Sequence, residues 1–235
     1  MAVFAIADLH LSLGTDKPMD AFPGWGNYVT RIAENWQKLV GENDTVVLGG
    51  DFSWAMNLKE AGPDFAFLHA LPGKKILLKG NHDYWWNTKS KIDAYFQENG
   101  FSDMAILHNN AYAIGEIAVC GSRGWLYNAE TAEDRKIVAR ECGRLETSIA
   151  AAKKTGKRPV VFLHYPPVYD GAECREILQV LEQNEIADCY FGHIHGAAAT
   201  RKAALRAWGN VRMHLISGDF VGFAPVLVAR EAESI

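Results

Sequence analysis

No stretch of this chain approaches the roughly 18 consecutive apolar residues that a membrane-spanning helix requires. Met1 to Ala7 carries no basic region and no cleavage site, so neither a signal peptide nor a membrane partner is expected. Cysteine is sparse: Cys120, Cys142, Cys174 and Cys189 stand singly, without the paired spacing of a disulfide framework or a zinc knuckle. They read as small apolar residues of a reduced, cytosolic protein. Positive charge is not in excess, since 24 Lys and Arg face 28 Asp and Glu for a net charge of −4. That balance argues against sequence-independent binding of long nucleic acid. The one basic cluster (Lys153, Lys154, Lys157, Arg158) follows a helical stretch and is expected to cap its negative end. Repeats, low-complexity tracts and Gly/Ser/Pro linkers are also missing. With 49% hydrophobic and 22% charged residues, the 235 residues are expected to form one domain, 1–235, around a proper core.

What the chain does have is alternation. Val3–Ala7, Thr45–Leu48, Lys75–Lys79, Val160–Leu163 and Cys189–Phe191 read as strands, short and largely β-branched or apolar. Between them, helical spacing covers Val29 to Val40, Asp64–Leu71 after Pro63, Lys89–Gln97, Ala132–Lys154 and Glu173–Gln183. Ala105–Leu107, Tyr112–Ile114 and Ile117–Cys120 suggest local antiparallel pairing. After His195 the chain reads as β: Ala203–Ala207, Arg212–Ile216 and Pro225–Val228. Parallel strands with covering helices, followed by a hairpin-rich remainder, are reconciled by two packed sheets with helices outside.

Five patches of metal-binding side chains follow these strands: Asp8-Leu9-His10, Gly50-Asp51, Gly80-Asn81-His82-Asp83, His164, and Gly192-His193-Ile194-His195. Carboxylate, amide and imidazole suit hard-to-borderline divalent cations, and no thiolate is among them. Loops at the carboxyl ends of parallel strands are where α/β folds place their ligand sites. Asp8 and His10, two apart at a strand end, are expected to leave on one side and share a cation. Gly49, Gly50, Gly80 and Gly192 let the backbone turn sharply beside the ligands. Asp51 is the natural carboxylate to bridge two cations.

This order of motifs resembles the calcineurin-like metallophosphoesterase superfamily, whose signature runs D-x-H, G-D, G-N-H-[DE], H, G-H-x-H. The resemblance implies an α/β four-layer α/β/β/α sandwich with two mixed β-sheets. It also implies two divalent metal ions, Mn, Fe or Zn. Asp8, His10, Asp51 and His195 would hold one, and Asp51, Asn81, His164 and His193 the other. His82 would approach the substrate beside Asn81 and protonate the leaving oxygen, oriented by Asp83. Two such cations about 3.5–4 Å apart activate a bridging water and neutralise charge on the attacked phosphoryl group.

The implied substrate is a small phosphomonoester or phosphodiester, possible nucleotides included. Gly50-Asp51-Phe52-Ser53-Trp54 departs from the Asp-Arg-Gly pattern of the protein-phosphatase branch, which argues against phosphoproteins. A lipid-precursor pyrophosphatase branch has Arg where His82 stands, which argues against that role too. Trp54, Trp85, Trp86, Trp125 and Tyr127 are candidates for an aromatic wall, and Arg123 for a phosphate clamp. His69, His108 and His214 fall outside the motifs and are expected to be ordinary histidines. The alternatives are a nuclease acting on short nucleic acid and a non-catalytic scaffold of the same fold. A scaffold should have lost some ligands, and this chain has all of them.

Overall fold

The computed structural model describes residues 1–125, 131–203 and 207–231. In chain order its elements begin with β1 (Ala2–Ile6), α1 (Tyr28–Leu39), β2 (Thr45–Leu48), α2 (Gly62–His69) and β3 (Lys74–Leu77). Next come α3 (Lys89–Glu98), β4 (Met104–Ile106), β5 (Tyr112–Ile114), β6 (Ile117–Ser122), α4 (Ala132–Lys153) and β7 (Arg158–Leu163). The chain finishes with β8 (Val168–Tyr169), β9 (Ala172–Glu173), α5 (Arg175–Gln183), β10 (Asp188–Phe191), α6 (Ala197–Ala203), β11 (Ala207–Trp208), β12 (Val211–Leu215) and β13 (Val226–Arg230).

One sheet has the order β13-β1-β2-β3-β4 and the other β11-β12-β10-β7-β6-β5. Both are parallel in the middle and close with antiparallel strands, β13 on the first sheet and β11 and β5 at the two edges of the second. Successive side chains of a strand face opposite ways, and the apolar residues divide accordingly. From β1, Phe4 and Ile6 join Trp36 of α1, Phe65 of α2 and Phe96 of α3. Val3 and Ala5 point the other way and meet Val160 and Phe162 of β7. On β7 in turn, Val161 and Leu163 join Leu145 of α4 and Leu181 of α5. Three apolar layers thus separate four layers of structure, the α/β/β/α sandwich implied by the motifs. Strands buried on both faces explain why they read as near-continuous apolar runs.

Two local expectations are corrected. β4 does not pair with the hairpin after it but lies parallel to β3, with Leu77 opposite Ile106. Helix α3 returns the chain to the first sheet, where Met104 and Ile106 bury beside Phe96 and Phe101. Only β5 and β6 form the antiparallel pair. The strand expected over Ala203–Ala207 is not formed as such: Ala203 ends α6, residues 204–206 lie outside the described ones, and β11 starts at Ala207. The run from Ala197 to Ala203 is rich in Ala, Arg and Lys, strong helix formers that outweigh a weak β pattern.

The parallel strands end together. Ile6 lies opposite Leu48 and Leu48 opposite Leu77, while Leu163 lies opposite Phe191 in the second sheet. Ala7 N–H donates to the Ile216 carbonyl at 2.9 Å, stitching the sheets at that end. All five motif patches therefore emerge at one edge of the sandwich. All four cysteines are free, and among the described residues no helix is long and apolar enough to cross a membrane.

Candidate metal centre

β1 stops at Ile6, so Asp8 and His10 are not carried on a strand, contrary to the simple period-two expectation. Their backbones are left-handed instead, at φ 59° and 45°, as are Asp51 at 52° and His193 at 74°. Such φ values are uncommon outside glycine, and Asp and His are among the side chains that tolerate them best. Hydrogen bonds hold these turns: Asp8 N–H to the Gly50 carbonyl at 2.9 Å, and His10 N–H to the Asp51 carbonyl at 3.0 Å. Glycine is needed where loops cross. A Cβ on Gly192 would lie 2.5 Å from Asp8 Oδ2 and 2.6 Å from Ala7 Cβ, and one on Gly50 only 2.6 Å from His164 Nδ1.

The turned loops bring the side chains into two groups, Asp8 with His10 and His195, and Asp51 with His164 and His193. Within each group the ligand-type atoms lie within 4.8 Å of one another. His10 Nε2 and His195 Nε2 face each other at 3.3 Å. Asp51 Oδ2 stands between the groups, 3.8 Å from His10 Nε2 and 3.6 Å from His164 Nε2. The outer nitrogens are spoken for: His195 Nδ1 lies 3.0 Å from Asp219 Oδ1, and His164 Nδ1 lies 3.1 Å from the Gly49 carbonyl. Those acceptors favour Nδ1–H tautomers, leaving the Nε2 lone pairs turned inward. His164 Nε2 then meets Asn81 Oδ1 at 2.7 Å, two acceptors aimed at one spot. Asp8 Oδ1 is buried without a hydrogen bond among the described residues. Carboxylate, amide and imidazole atoms converging on two spots suit cations, so the donor set fits a two-metal centre.

The side chains taken together resist a metal-free arrangement. Burial, with the charge of Asp8 adding to it, pushes Asp51 up to about 8. Burial also pushes His10 down to about 3 and His193 down to about 4. For Asp8, burial is outweighed by His195, His164 and His10, which hold its carboxyl well below the usual range. The same attraction, with help from Asp219, overcomes burial at His195 and raises it to about 10. A bound cation reverses this logic by favouring ionised carboxylates and neutral imidazoles throughout.

Asp83 departs from its expected role. Its carboxylate accepts from the backbone N–H of Asp51, Phe52 and Gly80 at 2.9, 2.9 and 2.7 Å, and from Trp85 Nε1 at 3.0 Å. None of these bonds reaches the His82 ring, so Asp83 ties the Asp51 and Asn81 loops together rather than orienting His82. His82 packs instead on Trp54, ring centroids 4.5 Å apart. Both rings, with His10, Asp51, His193 and His195, line a cavity of about 680 Å³, within the size of small-ligand sites.

Arg123 is likewise relocated. It does not line that cavity but a smaller pocket, where it faces buried Glu141 at 4.0 Å. Among the described residues of the proposed aromatic wall, only Trp54 lines the cavity. Trp85 is core, Trp86 packs on it, Trp125 meets Tyr165 edge-on, and Tyr127 lies outside the described residues. The cavity's other aromatic walls are Trp25 and Phe22, both missed in the sequence. Asp219, which fixes His195, was missed as well; Gly218-Asp219 after a strand is the only signal that pointed to it.

The calcineurin-like phosphoesterase family model matches residues 1–197. A protein of unknown function from Aquifex aeolicus is 18% identical with a TM-score of 0.50, over 96% of this chain and 95% of its own. Phosphopantetheinyl hydrolase from Mycobacterium tuberculosis is 13% identical with a TM-score of 0.53, over 100% of this chain and 98% of its own. At these identities the likeness carries the fold alone. No curated protein matches the chain in sequence.

Proposed function

The chain belongs to the calcineurin-like phosphoesterase family, and from that premise we propose a dinuclear metal-dependent hydrolase of small phosphomonoesters or phosphodiesters. Asp8, His10 and His195 would hold one ion and Asn81, His164 and His193 the other, with Asp51 between them. Mn, Fe and Zn all suit this nitrogen and oxygen set. Bound there, two such ions supply Lewis acidity and a water activated near neutral pH.

The chain's own residues do the rest. Asp219 and the Gly49 carbonyl fix the two imidazoles whose lone pairs point inward. Asp83 clamps the loops of Asp51 and Asn81 at a common spacing. His82, on the cavity wall, is positioned to give a proton to the departing oxygen. Trp25, Phe22 and Trp54 exclude water on one side and offer a flat apolar surface to the ester's organic group.

The observation that carries the reading is the pair of Asp/His groups meeting at Asp51 on the wall of one substrate-sized cavity. Metal analysis of the purified protein is expected to find two ions per chain, and Asp51→Asn to lose both. The loaded protein is expected to cleave p-nitrophenyl phosphate or bis-p-nitrophenyl phosphate. Full loading with Mn, Fe and Zn in turn, without hydrolysis of either ester, would leave a binding scaffold and end the proposal.

A further inference from the structure

Beside the second Asp/His group, a separate small pocket is lined by Lys79, His108, Ser122, Arg123, Glu141 and Arg144. It adjoins the metal centre through the backbone: Lys79 precedes Gly80-Asn81, and the Arg123 carbonyl accepts from His164 N–H at 3.1 Å. Its volume is about 40 Å³, room for a group of a few heavy atoms. Three cationic side chains face one carboxylate here, so the pocket carries uncompensated positive charge.

The carboxylate is used on one side only. Arg144 Nη1 reaches Glu141 Oε1 at 2.6 Å, and Arg123 Nη2 approaches the same oxygen at 4.0 Å. Glu141 is 1% exposed, yet its Oε2 has no hydrogen-bond partner among the described residues, and neither has the buried Nε–H of Arg123. Leaving such groups bare in the interior is unfavourable, so a ligand that pairs them gains by doing so. Burial, then Arg144, holds His108 below its ordinary pKa.

A ligand that satisfies this pocket must be anionic, carry several acceptor oxygens, and still offer one hydrogen to Glu141 Oε2. A singly protonated phosphate group does all three. Sulfate matches it in size and charge but has no hydrogen to give. We infer that this pocket binds a phosphate group and that Glu141 selects it against sulfate by accepting the remaining P–O–H. The inference rests on the pocket's own geometry and does not require the hydrolytic reading.

The test is calorimetric titration of inorganic phosphate and of sulfate into the chelator-treated full chain, so that cation sites contribute nothing. Phosphate is expected to bind at least tenfold tighter than sulfate. Arg144→Gln removes one positive charge and is expected to weaken phosphate about tenfold. Glu141→Gln is expected to close the gap by admitting sulfate. Both substitutions break the same ion pair, so damage to folding would weaken both anions in both variants. Should Arg144→Gln not fold, Arg144→Lys keeps the charge, loses the forked donors, and is expected to weaken phosphate by a smaller factor. Absence of phosphate binding, equal binding of sulfate by the native chain, or an unchanged phosphate affinity in the Arg144 variants overturns the inference. On metal-loaded enzyme, a larger rise in KM for a nucleoside 3′,5′-bisphosphate than for the 5′-monophosphate in Arg144→Gln assigns the site to a substrate's second phosphoryl group. Equal shifts assign it to free phosphate.

Discussion

At the scale of single residues, His82 is the side chain on which turnover should depend most without affecting metal content. Its Nδ1 is buried without a hydrogen-bond partner among the described residues, and its ring borders both Trp54 and His10. Burial, then the neighbouring His164, holds it below its ordinary pKa. A proton donor of lowered pKa is charged only at more acidic pH, so the rate on esters with poor leaving groups should fall as pH rises through a value on the acidic side of a free imidazole's. His82→Ala should retain both metals, lose about 10²–10⁴-fold in kcat on such esters, and lose less on p-nitrophenyl phosphate. Metal analysis beside kinetics decides this, and unchanged turnover takes His82 out of the chemistry. Gly192 makes a different demand, because its hydrogen occupies the space where a methyl would strike Asp8 Oδ2. Gly192→Ala should therefore disrupt the 2.8 Å bond from His193 N–H to Asp8. It should cost about 1–3 kcal/mol in chemical denaturation and weaken metal affinity. A variant that binds metal as the native chain does would contradict the close packing of these loops.

At the scale of elements, structure that nearby residues decide is legible in the sequence. β2 matches Thr45–Leu48 because that run is β-branched, short and buried on both faces. Helix α4 starts where a capping box closes on itself: Asp134 N–H donates to Thr131 Oγ1 at 3.0 Å, and Thr131 N–H to the Asp134 carboxylate at 3.0 Å. Failures came where partners distant in sequence decide. β4 follows its helix back to the first sheet, and Asp83 takes its role from backbone N–H groups some 30 residues earlier. Asp188 shows the same thing away from the site. At the start of β10 it bonds Arg158 of β7 at 2.8 Å, Arg212 of β12 at 2.7 Å and His214 at 3.0 Å, tying three neighbouring strands. Arg212 above all, against burial, holds its carboxyl well below the usual range, with His214 and Arg158 adding to the effect. A lowered folded-state pKa means stability that is complete above the unfolded value near 3.9 and is lost as pH falls through the folded one. Asp188→Asn should lower stability at pH 7 by about 1–3 kcal/mol. Urea midpoints of the variant and the native chain should then converge as pH drops below about 3. A gap that stays constant with pH would assign the loss to packing instead of charge.

At the scale of the whole molecule, two sheets converge to hold a buried cluster that is electrostatically poor on its own. Asp51 is driven toward its neutral form while His195 is driven toward its charged one, and four of the clustered residues keep left-handed backbones. The raised Asp51 and the lowered His10 and His193 oppose folding until cations occupy the cluster, so metal binding should act as a stabiliser of the native state alone. Free metal at 100 times its dissociation constant adds about 2.7 kcal/mol for each ion bound. For a chain of this size that corresponds to a Tm higher by about 5–10 °C per ion than after chelation. Asp51→Asn separates this from a general salt effect. The amide removes a carboxyl that burial and Asp8 both oppose, so the variant should melt no lower than the chelated native chain. It should also stop responding to chelator. A native chain whose Tm ignores chelation, or a variant that still gains from metal, would mean that the two sheets do not close around cations at Asp51.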